Sequence, residues 1–302
     1  MSIRDKQQQE YTMVEGLESK YIAGRSLNSV VEFGALSDVG KVREKNEDHY
    51  VVIKRSRSQE LILANLEMTD LNRSQEDAYL MMIADGVGGG TFGDIASDLV
   101  LRTVWEVTER MCSWVMRLKD YESQLEEIED RIITFTQRIQ HVFQSLGKSV
   151  PEMKEMGSTL CVAYIMGPDA IIVNLGDSRA YVLREGILLQ LTQDHTLAQD
   201  LIDEGVDAKE VQHLHHVLTR CFSDKSPDSK PDVHYLRLQD NDKLMLCSDG
   251  LSDMVNSNAI EQELINATDP QLACCALVDR ALEEGGKDNI TVIVAKIGIE
   301  FD

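Results

Sequence analysis

An α+β fold, with helices and antiparallel strands in separate blocks, is what this sequence predicts, and a contrast in texture carries the expectation. Between Asp94 and Leu146 there is no Gly or Pro, and Leu99, Val100, Val104, Val107, Met111, Trp114, Val115 and Leu118 recur at helical spacing. From Gly157 the chain changes to short β-rich runs, STLCVAYIM, AIIVNLGD, RAYVLREG and ILLQLTQD, punctuated by turn residues in the manner of an antiparallel meander.

Residues 1–30 are polar and aperiodic and are expected to be a mobile extension that joins the fold near Val30. An apolar run from Val31 and the strand-like YVVIK enclose the charged stretch SDVGKVREKNEDHY, which predicts two strands around a charged turn. Residues 55–77 read as a polar excursion holding one apolar segment, and AYLMMIADGVGGG as an apolar strand running into a glycine-rich turn. The Gly/Pro-free stretch makes one or two long helices whose charged faces, as in YESQLEEIEDR, are a solvated surface. After the meander, residues 194–236 are irregular, polar and histidine-bearing, with a short helix predicted at Thr196–Glu204, and a flap is expected there. The strand DKLMLCSDG follows, then two helices, the second opened by Asp269 as N-cap with Pro270 at the first helical position. DNITVIVAKIG closes the chain as a final strand. No repeat and no linker divides residues 31–302, so a single domain is predicted.

Composition removes several function classes. The chain has 302 residues, 43% hydrophobic and 27% charged, the profile of a globular protein. Thirty Lys and Arg stand against 52 Asp and Glu, a net charge of −22 that repels phosphate backbones and anionic lipid, so neither nucleic acid nor a membrane surface is an expected partner. Cys112, Cys161, Cys221, Cys247, Cys274 and Cys275 lie mostly in apolar runs without a CxxC pair and read as reduced core residues. No apolar stretch reaches membrane-spanning length, and the first thirty residues lack the apolar centre of a signal peptide, which makes a cytoplasmic protein the expectation.

With so many acids, an isolated Asp carries little weight. Four apolar strand runs, however, meet an Asp at one end: LMMIA before Asp85-Gly86, IIVNLG before Asp177, LMLCS before Asp249-Gly250, and ITVIVA after Asp288-Asn289. Asp is a poor strand residue and costly to bury, so an Asp at the mouth of a buried strand needs a partner. Few cations lie nearby in the sequence, and a hard divalent metal suits carboxylates and water. Glu47-Asp48, at the edge of YVVIK, is a fifth acidic position. Taken singly, each Asp reads as a turn or N-cap residue; the repetition, twice as Asp-Gly, does not.

Rival motifs fail. No GxxxxGK[ST] accompanies Asp85, which excludes a P-loop enzyme. Cys274 and Arg280 have the Cys-x5-Arg spacing of cysteine-dependent phosphatases but sit in CCALVDR, an apolar helix without the glycines of an anion cradle. His213, His215 and His216 lack Cys or carboxylate partners at zinc spacing and read as solvated or packing residues of the flap.

Together, Val42-Arg43-Glu44-Lys45-Asn46-Glu47-Asp48, Ala84-Asp85-Gly86-Val87-Gly88-Gly89, Gly157-Ser158-Thr159, Gly176-Asp177-Ser178-Arg179, Ser248-Asp249-Gly250-Leu251-Ser252-Asp253 and Asp288-Asn289-Ile290-Thr291 resemble the ordered motif series of the metal-dependent protein serine/threonine phosphatases, type 2C (PPM), in their bacterial form. The resemblance spans about residues 31 to 298. It implies a four-layer α-β-β-α sandwich of two antiparallel sheets flanked by helices, with two or three Mn2+ or Mg2+ ions at one end. By position, Asp85 would bridge two metals and Gly86 offer its carbonyl, Glu47 and Asp48 would line the centre, and Asp249 and Asp288 would complete one metal's shell. Asp177, Asp249 and Asp253 are similar to the ligands of a weaker third metal, and Arg43 to the residue that grips the substrate phosphate.

The implied activity is hydrolysis of phosphoserine and phosphothreonine on proteins, opposing a Ser/Thr kinase, by a monomer. In such chemistry two ions roughly 3.5–4 Å apart activate water and clamp the phosphoryl group, and a planar guanidinium orients the ester. The sequence departs from the family pattern at Gly90, where a histidine is usual, and at Asp94, where a glutamate is usual. The leaving alkoxide would then take its proton from metal-bound water or from another group, for which His195 in TQDHT is a candidate. The flap sequence LTRCFSDKSPDSKP also departs. Two other readings stay open: a non-catalytic metal-sensing or partner-binding module on the same fold, and a hydrolase of small phosphomonoesters.

Overall fold

The computed structural model describes residues 27–59, 74–88, 92–111, 121–226 and 230–301. The expectations for residues 1–26, Gly90, Cys112, Trp114, Val115 and Leu118 lie outside the described residues. In chain order the elements are β1 (Leu27–Asp38), β2 (Asp48–Gln59), β3 (Ser74–Val87), α1 (Gly93–Met111), α2 (Tyr121–Ser149), β4 (Gly157–Ser158), β5 (Leu160–Met166), β6 (Asp169–Leu175), β7 (Arg179–Arg184), β8 (Ile187–Gln190), α3 (Leu197–Asp203), β9 (Phe222–Ser223), β10 (Asp232–Arg237), β11 (Lys243–Cys247), α4 (Asp249–Ser252), α5 (Ser257–Asn266), α6 (Pro270–Glu283) and β12 (Ile290–Phe301).

The strands form two antiparallel sheets. One has the order β1-β12-β11-β7-β8; the other runs β10-β6-β5-β3-β4-β9, with β2 paired to β3 on its other side. Strand alternation explains the layering, because successive side chains leave a strand on opposite faces. Along β3, Tyr79, Met81 and Ile83 enter the core between the sheets, whereas Leu80, Met82 and Ala84 enter the core under α1 and α2. Along β12, Ile293, Ala295 and Ile297 face the other sheet, and Ile290, Val292 and Val294 face α4, α5 and α6. Both faces are covered, so these strands read as unbroken apolar runs, and the architecture is the four-layer α-β-β-α sandwich.

Two strands flank the charged turn as expected, and two other local expectations are corrected. The strands flanking the charged turn do not pair with each other: β1 belongs to one sheet and β2 to the other, so the turn crosses the sandwich. The meander is likewise split, with β5 and β6 in one sheet and β7 and β8 in the other. At that crossing Gly176 has φ +120°, and a Cβ there would run into the Thr159 side chain, so the turn requires glycine. Finally, the excursion at 55–77 is shorter than expected, because β2 and β3 stay paired from Asp48 opposite Asp85 out to Gln59 opposite Ser74. Ladder hydrogen bonds carry that ribbon past the end of the apolar pattern. Asp269 caps α6 through its side chain, accepting from Gln271 N and Leu272 N, with Pro270 at the first turn. The irregular stretch re-enters the sheet at Asp232, where β10 pairs with β6.

Candidate metal centre

The acidic positions gather because all of them sit at the same end of the two sheets. Asp48 opens β2 and lies opposite Asp85 near the end of β3; Asp177 follows β6; Asp249 follows β11 and starts α4; Asp288 precedes β12. Carboxylate oxygens of Asp85, Asp177 and Asp249 lie within 4.8 Å of one another. Asp85 and Asp249 keep some surface open to solvent, yet the surrounding protein removes enough water that burial, reinforced by neighbouring carboxylates, drives both well above the usual carboxylate range. Burial likewise pushes Asp48 up to about 6 and Asp177 up to about 7, and it raises Glu47 and Asp253.

One oxygen each of Asp48 and Asp177 is buried without a hydrogen-bond partner. So many facing acids in one place can all ionise only beside positive charge. The described protein groups supply little of it: Arg43 is half exposed, and its Nη2 bonds to Asp288 Oδ2 at 2.6 Å, while Arg179, whose charge acts on Asp177 and Asp253, is already bound to Asp194. An all-oxygen donor set with orphaned lone pairs fits a hard divalent ion such as Mg2+ or Mn2+.

A second ring of hydroxyl and amide groups holds these acids. Thr159 Oγ1 accepts from Asp85 N at 3.0 Å and shares a hydrogen bond with Ser178 Oγ, while Thr159 N donates to the Asp85 carbonyl. Ser248 Oγ donates to Asp48 Oδ2 at 2.7 Å and accepts from Thr291 N. The Thr291 hydroxyl meets Ser37 Oγ, which also accepts from Asn46 Nδ2, and Asn46 Oδ1 receives the Asp48 N–H. Asn289 ties the turn across the sandwich: its Oδ1 accepts from Glu47 N, and its Nδ2 donates to the carbonyls of Val39 and Lys45. Sequence reasoning gave Thr159, Ser178, Ser248, Asn289 and Thr291 no role of their own; the available signal was that each stands within three residues of an acid or a glycine of the motif series.

Glycine makes the close approaches possible. Gly86 N donates to the Glu47 carbonyl at 3.1 Å, and a Cβ on Gly86 would strike the Gly93 carbonyl. The Glu47 carboxylate lies against the bare Cα of Gly93 at the start of α1, and Ser97 Oγ of the same helix donates to the Glu47 carbonyl at 2.5 Å. Asp253 flanks the cluster from the end of α4.

The proposed proton-donor role of His195 is corrected. The ring is fully buried, with Nδ1 accepting from Gly176 N at 3.1 Å and Nε2 at 3.0 Å from Asp232 Oδ2, so neither nitrogen is left for a leaving group. Burial also lowers its pKa. Cys274 is buried on α6 with its thiol pushed up to about 12, and Arg280 pairs with Glu263, so the Cys-x5-Arg spacing builds no anion site. Among the described residues the only group of acids, His or Cys close enough to hold a metal is Asp85, Asp177 and Asp249, and the histidines at 213–216 form none. No described helix is long and apolar enough to cross a membrane.

Comparison with known proteins points the same way. The family model "Protein phosphatase 2C" matches residues 68–283. The chain is 28% identical over 266 residues to the serine/threonine phosphatase stp of Listeria monocytogenes serotype 4b, covering 86% of this chain and 93% of that one. It is 30% identical over 278 residues to the protein phosphatase PhpP of Streptococcus pneumoniae serotype 2, covering 89% and 99%. Among solved structures, the catalytic domain of the serine/threonine protein phosphatase PstP in complex with two manganese ions superposes with a TM-score of 0.68 at 27% identity, covering 90% of this chain and all of that one.

Proposed function

This chain belongs to the protein phosphatase 2C family, and from that premise we propose that it is a metal-dependent phosphatase that hydrolyses phosphoserine and phosphothreonine on proteins. The observation that carries the reading is the cluster of Asp85, Asp177 and Asp249, supplied by both sheets and left short of positive charge. Asp85, the Gly86 carbonyl, Glu47, Asp48, Asp249 and Asp288 would hold two Mn2+ or Mg2+ ions, and Asp177 and Asp253, with Asp249, a weaker third. When bound, such ions acidify water and offset phosphoryl charge.

The chain's own residues do the rest. The strand ends fix the acids before any ligand arrives, so little reorganisation is needed at the moment of reaction. Arg43 is half exposed beside Asp288 and orients the phosphate with a planar pair of N–H donors. Its contact with Asp288 holds it at the cleft's edge until substrate competes for it. No side chain in the cluster is a nucleophile of the Ser or Cys type, which agrees with direct attack by water. The substrates are phosphoproteins made by a Ser/Thr kinase, the chain acts as a monomer in the cytoplasm, and the part of residues 194–236 that precedes β10 is a flap beside the metal centre.

The test is phosphate release from a phosphothreonine peptide with Mn2+, with Mg2+ and with EDTA, alongside Asp249→Asn. Metal-dependent turnover that disappears in the variant supports the reading; turnover that survives EDTA, or wild-type turnover in the variant, overturns it.

A further inference from the structure

We propose that His195 is a positioning residue that fixes Asp177 through the backbone of Gly176 and ties that carboxylate to the excursion at residues 194–231. The inference rests on the reading of Asp177 as a ligand of the weaker metal. Asp177 lies beyond the end of β6, where no ladder hydrogen bond holds it, and it follows Gly176, whose positive φ only glycine adopts readily. His195 grips that glycine from both sides: its ring Nδ1 accepts from Gly176 N at 3.1 Å, and its own N–H donates to the Gly176 carbonyl at 3.0 Å. Because a backbone N–H can only donate, Nδ1 is the unprotonated nitrogen and the ring proton sits on Nε2. That proton is donated to Asp232 Oδ2 at 3.0 Å, and Asp232 Oδ1 accepts from Arg220 Nη1 at 2.7 Å.

One hydrogen-bonded chain therefore runs from Arg220 through Asp232 and His195 to the peptide that carries Asp177. Thr219 N donates to the His195 carbonyl and Leu197 N to that of Val217, so the two arms of the excursion are zipped together at this ring. A histidine that merely filled space would be replaceable by an apolar residue of similar volume. Here such a residue would leave the buried Gly176 N–H unpaired, and the turn would rotate to find a partner.

The experiment is a Mn2+ binding isotherm by calorimetry on the full chain, with Asp177→Asn, His195→Leu and His195→Asn, and with kcat and KM for a phosphothreonine peptide measured against Mn2+ concentration. Asp177→Asn is expected to lose the weakest ion. His195→Leu is expected to weaken that ion about tenfold, the value of one lost buried hydrogen bond, while leaving the tighter ions within about twofold. Its kcat should recover in excess Mn2+ with KM unchanged. His195→Asn, whose Oδ1 stands where Nδ1 stood and keeps the Gly176 contact, should bind like wild type within about threefold. If His195→Leu does not fold, His195→Gln, which reaches Asp232 but not Gly176, carries the same expectation. An unchanged isotherm with only a lowered melting temperature, or equal weakening of every ion, overturns the proposal. An unchanged isotherm in Asp177→Asn overturns instead the reading of Asp177 on which it rests.

Discussion

Stripping the metal should turn the acidic cluster into a measurable strain on the fold, and Asp48→Asn should relieve it. Asp48 is buried, and its carboxyl is pushed from an ordinary value of 3.8 up to about 6, chiefly by burial and to a smaller extent by the Asp288 charge, against the opposing hydrogen bonds of Ser248 and Thr291. The folded state therefore holds this proton more tightly than the unfolded chain does. Its contribution to stability is fully present below pH 3.8 and is lost as the pH rises through 6. At pH 7.5 the ionised carboxylate costs about 2.5 kcal/mol relative to pH 4. Asparagine would keep an oxygen for the Ser248 hydroxyl and replace the orphaned oxygen with a donor that can face Asp85.

In EDTA at pH 7.5 the variant should melt about 5 °C above wild type, taking about 2 °C per kcal/mol for a domain of this size. The gap should close towards pH 4. His195, whose lowered pKa acts in the opposite direction on acidification, is present in both proteins and cancels from the difference. Adding Mn2+ should raise the wild-type melting temperature and raise the variant's much less. Calorimetric melts across pH 4–8 test this, and a variant that melts at or below wild type throughout would refute the claim that these acids are held together at the expense of stability.

Arg43→Ala should raise KM for a phosphopeptide about tenfold or more through loss of charge-assisted bonds, while the Mn2+ isotherm and melting temperature barely change because the exposed pair with Asp288 is worth little. Asn289→Ala removes three hydrogen bonds that span the sandwich and should lower stability by about 2–4 kcal/mol in urea unfolding, with weaker Mn2+ binding as the Glu47–Asp48 turn loosens. Gly86→Ala places a methyl group against the Gly93 carbonyl, so α1 must move. Turnover should fall at least a hundredfold while the circular dichroism spectrum stays native, and retained turnover would mean that this close approach is dispensable.

The apolar runs, the Gly/Pro-free helical stretch, the Asp269 cap and the Asp residues at strand ends were all legible, because each depends on local periodicity or on a residue's intrinsic preference. The partition of strands between sheets was not. β1 and β2, or β6 and β7, would show the same period whether they paired with each other or crossed the sandwich, since periodicity records which face of a strand is apolar and not which strand lies beside it. His195 was misjudged for a related reason: an imidazole next to an acidic motif looks like a proton carrier until both nitrogens are seen to be occupied.

By itself the sequence determined which acids are present, in what order, and that each ends an apolar strand, enough to name a family and the chemistry of an oxygen-ligand metal site. Only the tertiary structure decided that residues as distant as Asp48, Asp177 and Asp249 lie at one end of the two sheets, and that Asn289, Ser248 and Thr159 hold the turns around them. Strand order and sheet crossing set those distances. They arise from long-range packing of two apolar faces, which no local pattern in the chain encodes.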